Sequence, residues 1–423
     1  MRATVVALAL LTATMFAAWF AIPVQAADVG GRIKLDAIGD NAGADTLEAL
    51  LGYETSSELA AQLRLELSQT VAQWKFAAAW QLDTRHGSAV EKDYAIATAY
   101  PALANTHDDN YWNLTDNLAD SGDNQSTQRL DRLNISYTGT SFVARLGRQA
   151  LTWGSGLVFH PMDLVNPFQP VATDTAYKRG TDMAYGQWLL ENGSDIQFVV
   201  VPHKRRNATI FNVDPNASNP MQAVFASLVG DTLQWTVLLA NDRADSVLGI
   251  GAAGALGGAT WNAELIPTHL DSGDTKTSAL LNITQAGMFL NRNLTTFAEL
   301  YHNGFGETGS NYTAVQLNAE LATRIERGQQ FVTGMDYLSL GATWEWTPLL
   351  QLIPTIILNA HDHSALIDTQ LSYSLSNNLS LKAGLRFPVG AKGTEFGGLE
   401  LAPATGVYLA SARQAFVRLE SYF

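Results

Sequence analysis

With 423 residues and no cysteine, the chain has no disulfide framework, so a small secreted module is excluded and the fold must rest on backbone pairing and packing. The formal charge of −14 comes without a basic cluster, which excludes a nucleic-acid footprint, and 16% charged residues beside 34 glycines suit neither a helical membrane protein nor a disordered chain. After residue 26 no apolar run reaches the ~18 residues of a spanning helix; the nearest, 247–259 and 349–360, are short and broken by glycines and by Pro354.

The chain begins as exported chains do. Met1-Arg2 supplies a charged start, 5–22 an apolar stretch, and Val24-Gln25-Ala26 a small-residue cleavage site. Residues 1–26 are therefore expected to be a signal peptide and 27–423 the mature unit. The apolar stretch is also long enough for an uncleaved anchor, but Thr4, Thr12, Thr14 and the Pro23 break favour removal.

From Glu58 onward, segments of about ten residues alternate apolar and polar, the period-2 pattern of strands with one apolar face. Leu59, Ala61, Leu63, Leu65 and Leu67 oppose Gln62, Arg64, Glu66 and Ser68, and Leu379, Leu381, Ala383, Leu385 and Phe387 oppose Lys382 and Arg386. Eighteen strands can be written, near 30–37, 58–69, 73–83, 129–138, 141–151, 181–191, 195–203, 220–229, 232–240, 246–254, 258–266, 277–287, 293–303, 334–346, 350–360, 365–375, 378–387 and 411–423.

A soluble sandwich would show the same periodicity, so the connections must decide. Every even-to-odd connection is tight, as at Thr138-Gly139-Thr140, Gly230-Asp231 and Ser376-Asn377-Asn378. The long segments, about 38–57, 84–128, 152–180, 204–219, 267–276, 304–333 and 388–410, fall on the other side. Short turns at one rim and long loops at the other are the asymmetry of an outer-membrane barrel. The expected fold is all-β, a transmembrane antiparallel barrel of about 16–18 strands with long external loops; Asn311 to Gln330 can hold another hairpin or a loop helix.

The most irregular connection follows Arg145-Leu146-Gly147-Arg148-Gln149, where Trp153-Gly154-Ser155-Gly156 breaks a strand and Asp163…Asn166-Pro167 punctuates a long loop. The Gly147-Arg148-Gln149…Trp153-Gly154 and Asp163…Asn166-Pro167 spacing resembles a segment of porin-like barrels of Gram-negative bacteria, including alginate-export-type proteins and related barrels without assigned substrates. The similarity covers about fifty residues and implies a single-chain transport barrel, with no substrate carried over. Residues 414–423 likewise resemble the C-terminal signature of bacterial outer-membrane proteins: Phe423, Leu419, Val417 and Ala415 match it, while Ser421 stands where an aromatic is usual. This implies outer-membrane lipid and lipopolysaccharide as surroundings and recognition of Phe423 by the barrel assembly machinery.

A Lys or Arg facing lipid at the bilayer midplane costs about 2–4 kcal/mol, so mid-strand charges are expected in the lumen. Around the closing seam these are Arg32, Lys34, Arg64, Lys75, Arg132, Lys382, Arg386 and Arg418, with Arg145 and Arg148 close by. These last two have opposite parity, so both face inward only across a bulge. The far wall offers Glu264, Glu299, Glu345 and Asp368. Facing basic and acidic arcs would orient dipolar or anionic solutes; the alternative is local pairing, since Asp36, Glu66, Asp83 and Glu420 share the basic side.

The loop 152–180, with Trp153, Asp163, Asn166, Lys178 and Arg179, and with Asp182 just inside the next strand, either lies outside or folds into the lumen as a constriction. The inward course is favoured by the resemblance. It would seat Arg148 beneath the loop, paired with Asp163 or Asp182, so that Arg148→Ala would draw cations. No motif calls for a cofactor or metal: His361-Asp362-His363 is a partial site read as a polar tip, and Asp108 to Asp123 lacks the order of a calcium loop. With no Gly-x-Ser-x-Gly elbow and no His-Glu-x-x-His, an enzyme is not expected. The expected function is a channel passing small hydrophilic solutes or a polymer. The alternatives are a non-conducting barrel acting as a surface binding or assembly module and, as a minor one, an outer-membrane hydrolase.

Overall fold

A computed structural model describes residues 27–100, 110–204, 216 and 218–423; the signal segment and the start of the 108–123 acidic stretch lie outside the described residues. Its strands are β1 (Asp28–Asn41), β2 (Thr55–Val71), β3 (Trp74–His86), β4 (Thr115–Ser121), β5 (Asn124–Thr138), β6 (Phe142–Gln149), β7 (Thr181–Leu189), β8 (Asp195–Val201), β9 (Met221–Val229), β10 (Leu233–Asp242), β11 (Asp245–Leu256), β12 (Ala259–His269), β13 (Thr275–Phe289), β14 (Arg292–His302), β15 (Asp336–Thr347), β16 (Leu350–Asn359), β17 (Ala365–Ser374), β18 (Leu379–Val389), β19 (Leu399–Glu400), β20 (Tyr408–Leu409) and β21 (Arg413–Tyr422).

Eighteen of these form a closed antiparallel wall. The seam is β21 on β1, paired from Arg32↔Tyr422 to Asn41↔Arg413, and Phe423 completes it by exchanging two backbone hydrogen bonds with Gly31. β4 lies outside the wall. It pairs β5 along Asn124–Arg129, above the point where β6 takes over the same edge at Leu133. The β19–β20 ribbon belongs to an external loop.

The alternation that builds each strand also chooses its solvent. In β2, Leu59, Leu65 and Leu67 stand exposed on the outside while Arg64 is buried within, and β12, β14, β18 and β21 repeat the arrangement with Leu265, Leu300, Leu385 and Val417 outward. An apolar band around a closed barrel with charged groups inside is stable in lipid and a liability in water. Aromatic pairs cluster beside the tight turns, where Trp74 meets Tyr137, Phe142 meets Trp188, and Phe289 and Trp346 flank Trp344. Such a girdle marks the level of the headgroups.

All turns at that rim are short. Leu290-Asn291, both at positive φ, forms the two-residue hairpin between β13 and β14. The opposite rim carries the long loops. There β1, β2 and β5 run on beyond the apolar pattern, because polar runs such as Ser56-Ser57 and Gln125 to Gln128 still pair through their backbones once clear of the bilayer. Of the two alternatives for Asn311 to Gln330, the structure shows the helix, Ala319–Glu326, capped by Asn318 Oδ1 accepting from the Leu321 amide.

Candidate functional site

The site is built where β6 ends. Arg145↔Tyr185 and Arg148↔Asp182 pair in one continuous register, so no inserted residue accommodates the two arginines. Gly147, between them, sits at φ 120 with the position of a Cβ only 2.2 Å from the Leu133 carbonyl oxygen, a place no other residue fits, and Arg145 bonds Gln149 on its own face, so alternation leaves Arg148 on the other. Arg145 then lies over the Tyr185 ring, and Arg148 turns to Asp182, its Nε and Nη2 donating at 2.8 and 2.9 Å. Both partners of this pair are sealed, at 2% and 1% exposure. Asp182 also accepts from the Trp112 amide at 2.8 Å, so the pair ties β6 and β7 to the loop above.

From there residues 152–180 cross the lumen. Trp153 leaves the strand by stacking on Phe225 at 5.4 Å and donating its indole N–H to Gln197. The next residues meet the acidic wall. Glu264 of β12 accepts from the Ser155 amide at 2.5 Å and its hydroxyl at 2.9 Å; Glu299 of β14 accepts from the amides of Leu157, Val158 and Phe159 at 2.6, 3.0 and 2.9 Å. A carboxylate receiving consecutive amides satisfies backbone donors that lie at membrane depth without a ladder.

The far arm of the loop is held by the basic wall. Arg386 donates to the Val171 carbonyl at 2.5 Å, Arg418 to the Thr173 carbonyl at 2.7 Å, and Asp174 is shared by Arg32 at 3.0 Å and Lys34 at 2.8 Å. Tyr177 lies between two guanidinium groups, those of Arg32 and Arg64, 4.8 and 4.2 Å from its ring centre. Burial works to raise the Asp174 carboxyl, but its bonds to Arg32 and Lys34 outweigh it and hold Asp174 well below the usual carboxylate range. Val171 sits at φ 50, a strained conformation for a β-branched residue, and is fixed there by Arg386.

Inside the loop, Asp163 pairs with Lys178 at 2.5 Å. Burial pushes Asp163 up to about 6 against the pull of Lys178, and pushes Lys178 down. Burial also lowers His160 to about 4, with Lys178 acting in the same direction. Asn166, exposed and at φ 54, donates to the Arg179 carbonyl.

Two expectations are corrected by this geometry. Of the two partners expected for Arg148 it takes Asp182, as one alternative had it, but Asp163 is taken by Lys178, and Arg148 bonds the Trp112 carbonyl rather than the lumenal arm. Asp368 is not part of a far acidic wall, because β17 sets it directly across from Arg386 at 3.1 Å. Of the other charges, Glu345 bonds Asn293 at the short-turn rim and Lys75 stands exposed at that same rim, both away from the loop. Lys382 pairs with Glu420, Arg418 with Asp36, and Arg64 and Arg132 both with Asp131.

Asp131, Arg129, Asp174 and Tyr177 escape a reading of period alone. Pairing of β3 with β5 shifts between Ala79 and Trp80, so Asp131 bulges and turns inward beside Arg132, which strict alternation forbids. Asp174 and Tyr177 sit in irregular backbone, where spacing carries no direction.

The external rim buttresses this arrangement. Segment 303–335 lies between the β10–β11 turn, where Arg324 bonds Asp245 at 2.8 Å, and the 390–412 loop, where Tyr312 donates to the Gly393 carbonyl. Buried Glu395 joins them, accepting from the Thr333 amide, Tyr337 and Asn359. Its end packs on the lumenal loop through Val332 against Val158 and Phe159. His302 and His361 both bond Asp336, at 2.6 and 2.7 Å.

No family model matches the chain, and no curated protein matches it in sequence. Solved structures do match it. The crystal structure of Acinetobacter baumannii OccAB4 aligns with TM-score 0.56 and 8% identity over 95% of this chain and 99% of that one. A BenF-like porin from Pseudomonas fluorescens Pf-5 gives 0.55 and 9% over 94% and 98%, and A. baumannii OccAB2 gives 0.54 and 11% over 94% and 98%. At such identities the likeness speaks for architecture, and on that ground the chain has the fold of a Gram-negative porin-like outer-membrane barrel.

Proposed function

We propose that the protein is a diffusion channel for small hydrophilic solutes in the outer membrane, with residues 152–180 as its constriction. The observation that carries this reading is the unequal sealing of the two walls. Where the loop meets the acidic wall, Glu264 and Glu299 are 5% and 0% exposed, so no passage runs there. On the basic side, Arg129, Arg132, Lys382 and Arg386 point inward and keep 17–29% of their side-chain surface open to solvent. Water therefore reaches the lumen along a wall of guanidinium and ammonium groups, interspersed with Glu66, Asp83 and Asp174. Such a wall favours anionic or dipolar solutes.

The same loop speaks against passage of a polymer, since it crosses the lumen and is tied at both ends. The likeness to porins, which are channels and not enzymes, supports the outer-membrane setting and a role without a chemical step. Single-channel recording in a planar bilayer tests the proposal: discrete conductance steps with a reversal potential favouring anions support it, whereas a folded barrel that conducts nothing would favour a surface binding or assembly module.

A further inference from the structure

Among the described residues, three carboxylates stand between Arg32, Lys34, Lys382 and Arg418. Asp36 of β1 and Glu420 of β21 belong to the wall and are sealed, at 5% and 1% side-chain exposure, whereas Asp174 belongs to the loop and keeps 23%. Asp174 is placed as a bound solute would be. Its Oδ1 and Oδ2 each accept from one terminal nitrogen of Arg32, both at 3.0 Å, and Oδ2 accepts from Lys34 Nζ at 2.8 Å. Paired bonds from one guanidinium fit a planar group with two oxygens, and the ammonium adds a third donor. Nothing in that recognition requires the carboxylate to be part of the chain.

Both cations keep a partner when Asp174 turns away. Arg32 holds Glu420 at 2.8 Å and the Gln62 side chain, and Lys34 stands 3.6 Å from Asp36. No charge is then left buried and alone, the condition that makes most buried pairs costly to open. With Asp174 in place four cations meet three carboxylates; with it away the excess positive charge doubles, so the vacated position attracts an anion. The arm itself does not depend on Asp174. Arg386 and Arg418 hold the Val171 and Thr173 carbonyls, Tyr177 lies between Arg32 and Arg64, and Arg132 holds the Lys178 carbonyl. Thr175 and Ala176 are exposed, and the Ala176 amide, 3.3 Å from Asp174 Oδ1, is the one loop donor on that carboxylate among the described residues. The side chain can therefore swing into lumen water while the backbone stays on the wall.

We propose that Arg32 and Lys34 form an exchangeable anion seat in the constriction, filled by the loop's own Asp174 when no solute is present and by a carboxylate of the passing solute when Asp174 swings aside. The inference rests on the reading of the protein as a channel for anionic solutes. A channel must bind its solute firmly enough to admit it and weakly enough to let it leave. Asp174 is a tethered competitor, so it lowers the solute's affinity by a factor set by its own effective concentration, and its return expels the solute. The solvent-reached Lys382, which shares Glu420 with Arg32, stands beside the seat and draws anions toward it.

The chain has no cysteine, so a single Thr175→Cys variant takes one nitroxide label beside Asp174. The labelled full-length barrel is titrated with sodium acetate, and separately with sodium chloride at equal ionic strength, while label mobility is recorded. Exchange predicts a saturable rise in mobility with acetate that chloride, which lacks the paired oxygens, does not reproduce. In an Asp174→Ala background the label is mobile from the start and no longer responds, and the acetate concentration that half-blocks the single-channel chloride current falls at least about tenfold. If that background does not assemble, the acetate titration of the parent sequence still decides. A label unmoved by acetate, or moved equally by chloride, overturns the seat, because Asp174 would then be a fixed tie or one loosened by screening alone. A barrel that never conducts yet shows the acetate response would sink the channel reading and leave the seat standing.

Discussion

Replacing Arg148 by Ala removes one half of a pair that is sealed on both sides. Asp182 loses the bonds from Arg148 Nε and Nη2, at 2.8 and 2.9 Å, and among the described residues keeps only the Trp112 amide, at 2.8 Å. Breaking a buried ion pair by removing one partner costs about 3–5 kcal/mol, because the remaining charge is left uncompensated. The loss also frees the carbonyl of Trp112, which accepts from Nη2 at 2.5 Å. Ion selectivity, in contrast, should not move, since the two charges cancel and neither meets the solvent of the lumen. The assay is urea unfolding in detergent, followed by gel mobility of unheated samples, with reversal potentials measured on the same preparation. Arg148→Met combined with Asp182→Asn removes both charges and leaves an acceptor for Trp112, and should recover most of the stability. Unchanged stability with a shift toward cations would place Arg148 on the conduction path and refute this reasoning.

Gly147→Ala places a methyl 2.2 Å from the Leu133 carbonyl at a φ of 120, so the strand must yield there; a cost of at least about 1–3 kcal/mol is expected, read as a fall in heat-modifiable barrel. Arg386→Ala removes a solvent-reached cation and frees the Val171 carbonyl, so reversal potentials should shift toward cations and conductance should rise, which salt-gradient recordings would show. Epitope tags near Asp120 and Gly309 should be labelled on intact cells, whereas a tag at Asn377, in the tight turn between β17 and β18, should be labelled only after permeabilisation.

The wall was legible because its physics is periodic. Each strand exposes one apolar face to lipid, so Leu59, Leu65 and Leu67 announce β2 without any knowledge of its neighbours, and the parity of loop lengths separates a barrel from a sandwich. What alternation cannot supply is direction in places where the backbone departs from it. The bulge at Asp131 reverses the local parity, and it lies among the charges that matter most. The facing arcs of charge were visible, but their use was not. Much of each arc is engaged in holding the loop or a near neighbour, so local pairing accounts for Lys382 with Glu420 and Arg386 with Asp368.

The central claim is that 152–180 narrows a conducting barrel whose wall stands without it. Asp163 and Lys178 already touch, so removing residues 164–177 joins two points that are close in space and leaves every wall pairing in place. Single-channel conductance of this deletion, compared with the parent in the same bilayer, is the direct test. A folded, heat-modifiable barrel with larger conductance is the result predicted; a deletion that conducts as the parent does would mean that the narrowest point lies elsewhere.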